Sequence, residues 1–152
     1  MSREPEFRIY TGPMFGSKTT RMLAYLERCS HQNRSVIAFK PKMDARYSEG
    51  EICTHAGLKF PAINVNSGED ILAAAREHDV IGVDEAFMIN GIDEVLISLF
   101  FKGANIVVST IQLDANERPF ENIKNIMPFA LQYLINFLCT STSSSSFLSM
   151  SS

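Results

Sequence analysis

The chain has 152 residues, 45% of them hydrophobic and 20% charged, and carries a formal net charge of −3. Such a length fits one domain with a sizeable core, and the acidic balance excludes the clustered Lys and Arg of a nucleic-acid surface. No apolar run reaches the roughly 18 residues of a membrane span.

The opening MSREPEF is charged and lacks the apolar heart of a signal peptide. Residues 7–10 (FRIY) read as a short strand running into a glycine-rich loop. Met22, Leu23, Leu26 and Cys29 recur at helical spacing, which predicts a helix over 18–31. SVIAFK (35–40) is a β-branched and aromatic run closed by Pro41, hence a strand. After the irregular KMDARYSEGE, the stretch ICTHAGLKFPAINV (52–65) predicts two short strands around an Ala56-Gly57 turn. Ser67 stands as an N-cap before a short helix, ILAAARE (71–77). DVIGVDE (79–85) is a buried type of strand ending in two acids. A helix over 91–103, the strand NIVVST (105–110) and a last apolar strand, LQYLINFL (131–138), complete the pattern.

Strands alternating with helices predict an α/β fold, a mainly parallel sheet with flanking helices of the P-loop NTPase, RecA-like kind. Beyond Cys139 the chain becomes TSTSSSSFLSMSS, which cannot bury a core and is expected to be disordered. The expected division is therefore a P-loop domain over 1–138 and a Ser-rich tail over 139–152. Three scattered cysteines (Cys29, Cys53, Cys139) make no disulfide framework, so a reducing, cytoplasmic setting is expected.

The loop Gly12-Pro13-Met14-Phe15-Gly16-Ser17-Lys18-Thr19 nearly spells the phosphate-binding pattern G-x-x-x-x-G-K-[ST], with the last glycine and its neighbour reversed. A strand, a glycine loop and a helix start surround an anion with backbone N–H groups. Lys18 would reach the outer phosphates of ATP and Thr19 would bind Mg²⁺. Ser17 brings a Cβ where glycine is usual, and a strained fit would cost on the order of 1–3 kcal/mol. If Ser17 keeps allowed dihedrals, the amide nest survives and binding is retained. The plain alternative, a glycine turn before an amphipathic helix, does not account for the strand, the spacing and the Lys-Thr pair together.

Asp84 and Glu85 close an apolar strand where a P-loop protein carries its acids. Asp84 would hold Mg²⁺, directly or through water, and Glu85 would accept a proton from the attacking group. The bland reading of any single Asp-Glu pair is a solvated strand end; the phosphate loop upstream favours chemistry.

GPMFGSKTTRML, FKPKMDARYS, THAGLKF, IGVDEAF and RPFENI, taken in this order, resemble the thymidine kinase family of cells, bacteria and large DNA viruses. The resemblance spans about Phe7 to Cys139. It implies transfer of the γ-phosphate of ATP to the 5′-hydroxyl of thymidine, giving dTMP, with ATP and Mg²⁺ required and a homotetramer as the usual assembly. No nucleic acid or membrane partner is expected.

Matched by motif, Lys18 and Thr19 are the phosphate and Mg²⁺ residues and Glu85 is the general base. Met14 packs against the base, Asp44 and Arg46 sit near the catalytic centre, and Phe120 walls the nucleoside pocket. An arginine such as Arg46 suits charge building on a transferring phosphoryl group.

Several departures stand out. Phe87 occupies a position where the family has glutamine, and Met88 one where it has phenylalanine; both are candidate nucleoside contacts. The family's LDG-x-F stretch reads here as Leu113-Asp114-Ala115-Asn116-Glu117, without its aromatic. The family's C-terminal zinc and lasso segment brings four cysteines, whereas here Cys139 is followed by none. One thiolate cannot build a tetrahedral site, so zinc is not expected. Two other readings stay open: a different P-loop ATPase in which Glu85 activates water, and a nucleotide-binding remnant without turnover.

Overall fold

The structure, a computed structural model, describes residues 4–12, 17–42 and 50–141; for 133–141 the description covers the backbone. The elements run β1 (Phe7–Thr11), α1 (Lys18–His31), β2 (Val36–Pro41), β3 (Glu51–Cys53), β4 (Lys59–Pro61), β5 (Ile63–Val65) and α2 (Gly68–Ala74). They continue with β6 (Val80–Val83), a single 3-10 turn (Ala86–Met88), α3 (Ile92–Phe101), β7 (Asn105–Thr110) and α4 (Glu121–Ser141).

Five strands form one sheet in the order β1–β7–β6–β2–β5, and every pairing in it is parallel. Parallel strands need crossover helices, which cover both faces of the sheet. The pleat sorts each strand's residues between two apolar layers. On one face Met22, Leu23, Leu26 and Cys29 of α1 pack over Ala38, Val80 and Val107. On the other, Ile81, Val83, Ile106 and Val108 meet Ile71 of α2, Leu96 of α3, and Ile123 and Ile126 of α4. Fully burying one such side chain stabilises the fold by about 1.5–3 kcal/mol. Gly82 belongs to the α1 face, where a Cβ would stand 2.6 Å from Leu26 Cδ1, so its lack of a side chain sets how close α1 lies.

The central strands are buried on both sides, and all six residues of β7 are buried. This explains why 79–85 and 105–110 read as continuous apolar runs rather than alternating ones. At the edge, Tyr25 of α1 donates its hydroxyl to Glu6, and the Arg8 guanidinium lies 4.4 Å from its ring centroid.

The stretch 52–65 forms the expected pair of strands, β3 and β4, joined antiparallel about a turn in which Gly57 has φ +85°. A third piece, β5, then leaves the hairpin to pair with β2 in the main sheet. Helix α2 begins earlier than its apolar residues suggest. Ser67 takes the N-cap position with extended backbone but makes no side-chain cap, while Asp70 accepts the Asn66 N–H at 2.9 Å.

The strand expected at 131–138 is not formed. Helix α4 carries those residues as the continuation of a helix that starts at Glu121 and contains Pro128. Proline removes one helical hydrogen bond, the one to the carbonyl four residues back. Here Pro128 and Lys124 both lie on the exposed side, so that carbonyl can turn to water, while Ile123 and Ile126 stay buried. The helix passes residue 138 and ends at Ser141; the Ser-rich residues 142–152 lie outside the described residues. Among the described residues no helix is long and apolar enough to cross a membrane.

Candidate functional site

In a parallel sheet, the strand ends that point toward the next helix gather polar loops on one side. Here the carboxyl ends of β1, β6 and β7 lie next to one another, with the first turn of α1 above them. Four residues singled out by the sequence meet there. Lys18 opens α1 with its side chain only 5% exposed, and its Nζ lies 3.4 Å from Glu85 Oε1. One residue on, Thr19 Oγ1 donates to Asp84 Oδ1 at 2.9 Å.

Ser17 is the N-cap of α1 with φ −84° and ψ 14°, and its carbonyl accepts the Arg21 N–H at 2.9 Å. A negative φ is open to any L-residue. The reversed glycine order therefore imposes no backbone strain at Ser17. Gly12 follows β1, and among the described residues a Cβ there would meet nothing within 4 Å. Pro13, Met14, Phe15 and Gly16 lie outside the described residues, as do Asp44 and Arg46.

Asp84 continues the ladder beyond β6 by donating its N–H to the Phe39 carbonyl at 2.9 Å. Burial pushes its carboxyl above the ordinary carboxylate range, and the neighbouring Glu85 charge adds to the push. Hydrogen bonds from Thr19 and Ser109, and the Lys18 charge, act the other way without cancelling it. Glu85 follows with φ 52° and ψ 44°, a left-handed conformation that costs a non-glycine residue about 1–3 kcal/mol. That turn takes the chain out of β6 and into the 3-10 turn, leaving the Glu85 carboxylate beside Lys18.

Asp84 and Thr19 supply two hard oxygen donors in hydrogen-bond contact, a set that fits Mg²⁺. Such an ion keeps several waters and takes one or two protein ligands plus substrate phosphates. It therefore needs no larger cluster, and among the described residues no three His, Cys, Asp or Glu side chains gather around a common point.

Sequence reasoning missed one residue at this centre. Ser109, fully buried near the end of β7, has its Oγ 3.3 Å from Thr19 Oγ1. In the sequence it is one more residue of an apolar strand; only the register of β7 beside β6 brings it here.

The aromatic side is assembled differently. Phe87 in the 3-10 turn and Phe120 just before α4 face each other with ring centroids 4.9 Å apart at 41°. Both are half-buried against the main core, and Met88 beside them is half-buried too. Asn122, a second residue the sequence did not flag, donates its side-chain amide to the Phe87 and Ile89 carbonyls, each at 3.3 Å. It ties α4 to the 3-10 turn. Ahead of Phe120, Asp114 accepts the N–H groups of Asn116 at 2.8 Å and Arg118 at 3.0 Å, bracing the loop that delivers the aromatic ring.

With this geometry in place, comparison with known proteins is decisive for the family. The family model described as thymidine kinase matches residues 6–149. The chain belongs to the thymidine kinase family. Its relatives include the thymidine kinase of Mesoplasma florum, 36% identical over 129 residues, covering 80% of this chain and 64% of that protein. The thymidine kinase of Thermococcus kodakarensis is 34% identical over 126 residues, covering 78% and 64%. That of Pyrobaculum aerophilum is 33% identical over 128 residues, covering 80% and 68%. This thymidine kinase family member thus spans a little under two thirds of the length of the first two. The all-parallel sheet agrees with the fold expected from the sequence.

Proposed function

We propose that the protein is an ATP-dependent thymidine kinase, passing the γ-phosphoryl group of ATP to the 5′-hydroxyl of thymidine to give dTMP for deoxynucleotide salvage. The observation that carries this reading is the meeting of Lys18 with Glu85 at 3.4 Å and of Thr19 with Asp84 at 2.9 Å, at adjoining strand ends of a family member.

In this reading residues 12–19 wrap the phosphates of ATP, and Lys18 leaves Glu85 to neutralise the outer ones. Its departure frees the Glu85 carboxylate to take the proton of the 5′-hydroxyl as the new O–P bond forms and the bond to the ADP oxygen breaks. Thr19 and Asp84 would hold Mg²⁺, which would supply positive charge to offset that on the phosphate oxygens. By family motif Arg46 stabilises the transferring group, and Met14, Asp44, Phe87, Met88 and Phe120 line the nucleoside side. The raised carboxyl of Asp84 supports these assignments, since perturbed carboxyls gather at functional sites. The domain over 1–138 would carry all these groups. Assembly as a homotetramer belongs to the same proposal and is checked by light scattering.

The test is to incubate the pure protein with ATP, Mg²⁺ and labelled thymidine. Formation of dTMP with thymidine-dependent ADP release supports the reading. ATP binding without product favours the nucleotide-binding remnant. Release stimulated by DNA instead of thymidine would point to another kind of P-loop ATPase.

A further inference from the structure

The register of three elements creates a contact that no motif announces. Val83 pairs with Val108, so the next residues, Asp84 and Ser109, stand side by side where β6 and β7 end. The pleat turns both toward α1: Gly82 and Val107, two residues earlier on each strand, lie on the face that α1 covers. Thr19, in the first turn of that helix, meets both, donating to Asp84 at 2.9 Å and lying 3.3 Å from the Ser109 hydroxyl.

A threonine hydroxyl has one proton and two lone pairs. When its proton goes to Asp84, its oxygen can still accept, and the neighbouring group on that side is Ser109. Ser109 is 0% exposed and cannot exchange this contact for one with bulk water. A buried hydroxyl left without a partner costs about 1–3 kcal/mol. The Ser109 hydroxyl thus lies against Thr19 Oγ1 and is within hydrogen-bond reach of the Asp84 carboxylate.

We propose that Ser109 is a positioning residue for the divalent cation: it holds Thr19 Oγ1 and the Asp84 carboxylate in the arrangement that receives Mg²⁺ with ATP. It touches neither the nucleoside nor the reacting atoms. The inference rests on the proposed function only in assuming a magnesium nucleotide. Outer-sphere partners that orient metal ligands are typically worth about 10–100-fold in metal affinity.

The test compares wild type with Ser109→Ala and Ser109→Cys, following ATP-induced thermal stabilisation while Mg²⁺ is titrated. Both variants are expected to need about 10–100-fold more Mg²⁺ for half-maximal stabilisation. Their affinity for ATP in EDTA stays unchanged, as do the melting temperatures of the ligand-free proteins to within a few degrees. Cysteine fills the space of serine but hydrogen-bonds weakly, so it separates the loss of the contact from the opening of a cavity. Ser109→Thr keeps the hydroxyl and is expected to restore the wild-type midpoint. Equal Mg²⁺ midpoints in wild type and the alanine and cysteine variants would overturn the proposal. So would an equal loss of ATP affinity with and without Mg²⁺, because that is the mark of a merely structural role. Wild type that forms no dTMP, together with shifted midpoints in the variants, defeats the kinase reading and leaves this one; dTMP formation by wild type with unshifted midpoints in the variants does the reverse.

Discussion

The two sides of the site are held by different physics. On the phosphate side, Lys18, Thr19, Asp84, Glu85 and Ser109 come from three elements whose positions are fixed by the parallel register and by the apolar layer beneath α1. Every contact among them involves a charge or a hydroxyl, and two of the residues carry a cost: the displaced carboxyl of Asp84 and the left-handed backbone of Glu85. On the aromatic side, Phe87 and Phe120 face each other from a 3-10 turn and a loop end, joined by ring contact and by the Asn122 amide. The two rings are uncharged, while the loop before Phe120 carries Asp114 beside Arg118 and a left-handed Glu117 at φ 60°. In the proposed reading, the groups assigned to chemistry meet through polar contacts at the ends of a stiff sheet, while the rings assigned to recognition meet by apolar packing.

Replacing Glu85 tests the costly side most directly and should give the largest effect. Glu85→Gln keeps the shape and removes both the base and the negative partner of Lys18. Turnover to dTMP is expected to fall by about 10²–10⁴-fold, the usual contribution of a positioned base. MgATP binding should persist or tighten, since Lys18 no longer has to leave a carboxylate to reach the phosphates. Turnover within about tenfold of wild type would remove Glu85 from the base role.

The phosphate side was also the more legible in the sequence, and the reason is local. A strand, a glycine loop and the Lys-Thr pair at the start of α1 are contiguous, and the acid pair Asp84-Glu85 ends an apolar run, so a linear pattern contains them. Ser109 was hidden because its place depends on how β7 registers against β6, a long-range fact absent from any window. Asn122 was hidden for the same kind of reason, its partners lying 35 and 33 residues away. The misread strand at 131–138 has another cause. A short continuous apolar run does not distinguish strand from buried helix. The structure carries the helix through Pro128 because the proline falls on the solvent side of α4. The core face of α1 was plain from its apolar spacing, and α3 and β7 were legible as a helix and a strand.

A smaller change sharpens the recognition side. Phe120→Ala removes the ring that meets Phe87, and a base–aromatic stack is worth about 1–3 kcal/mol. The KM for thymidine is expected to rise roughly tenfold, corresponding to about 1.4 kcal/mol, with the KM for ATP unmoved. Steady-state kinetics with each substrate varied in turn checks it. A change of similar size in both KM values would mean that the aromatic pair supports the whole site rather than one side.

The smallest effect concerns stability alone, and it has an unusual sign. The folded protein holds the Asp84 carboxyl above its ordinary value of 3.8, chiefly through burial. Above that value the unfolded chain gives up its proton while the folded one still keeps it. Stability from this group is thus fully present below about pH 3.8 and is lost as pH rises through the higher folded value. Asp84→Asn removes the ionisation but leaves an oxygen to accept from Thr19. In EDTA the variant should therefore melt higher than wild type at neutral pH, and its advantage should shrink as the pH is lowered toward 3.8. Adding ATP and Mg²⁺ should reverse the ranking, because only the carboxylate gains from the cation. A variant that melts lower than wild type in EDTA at neutral pH would show that Asp84 stabilises the scaffold, and the difference between the two sides of the site would lose its main support.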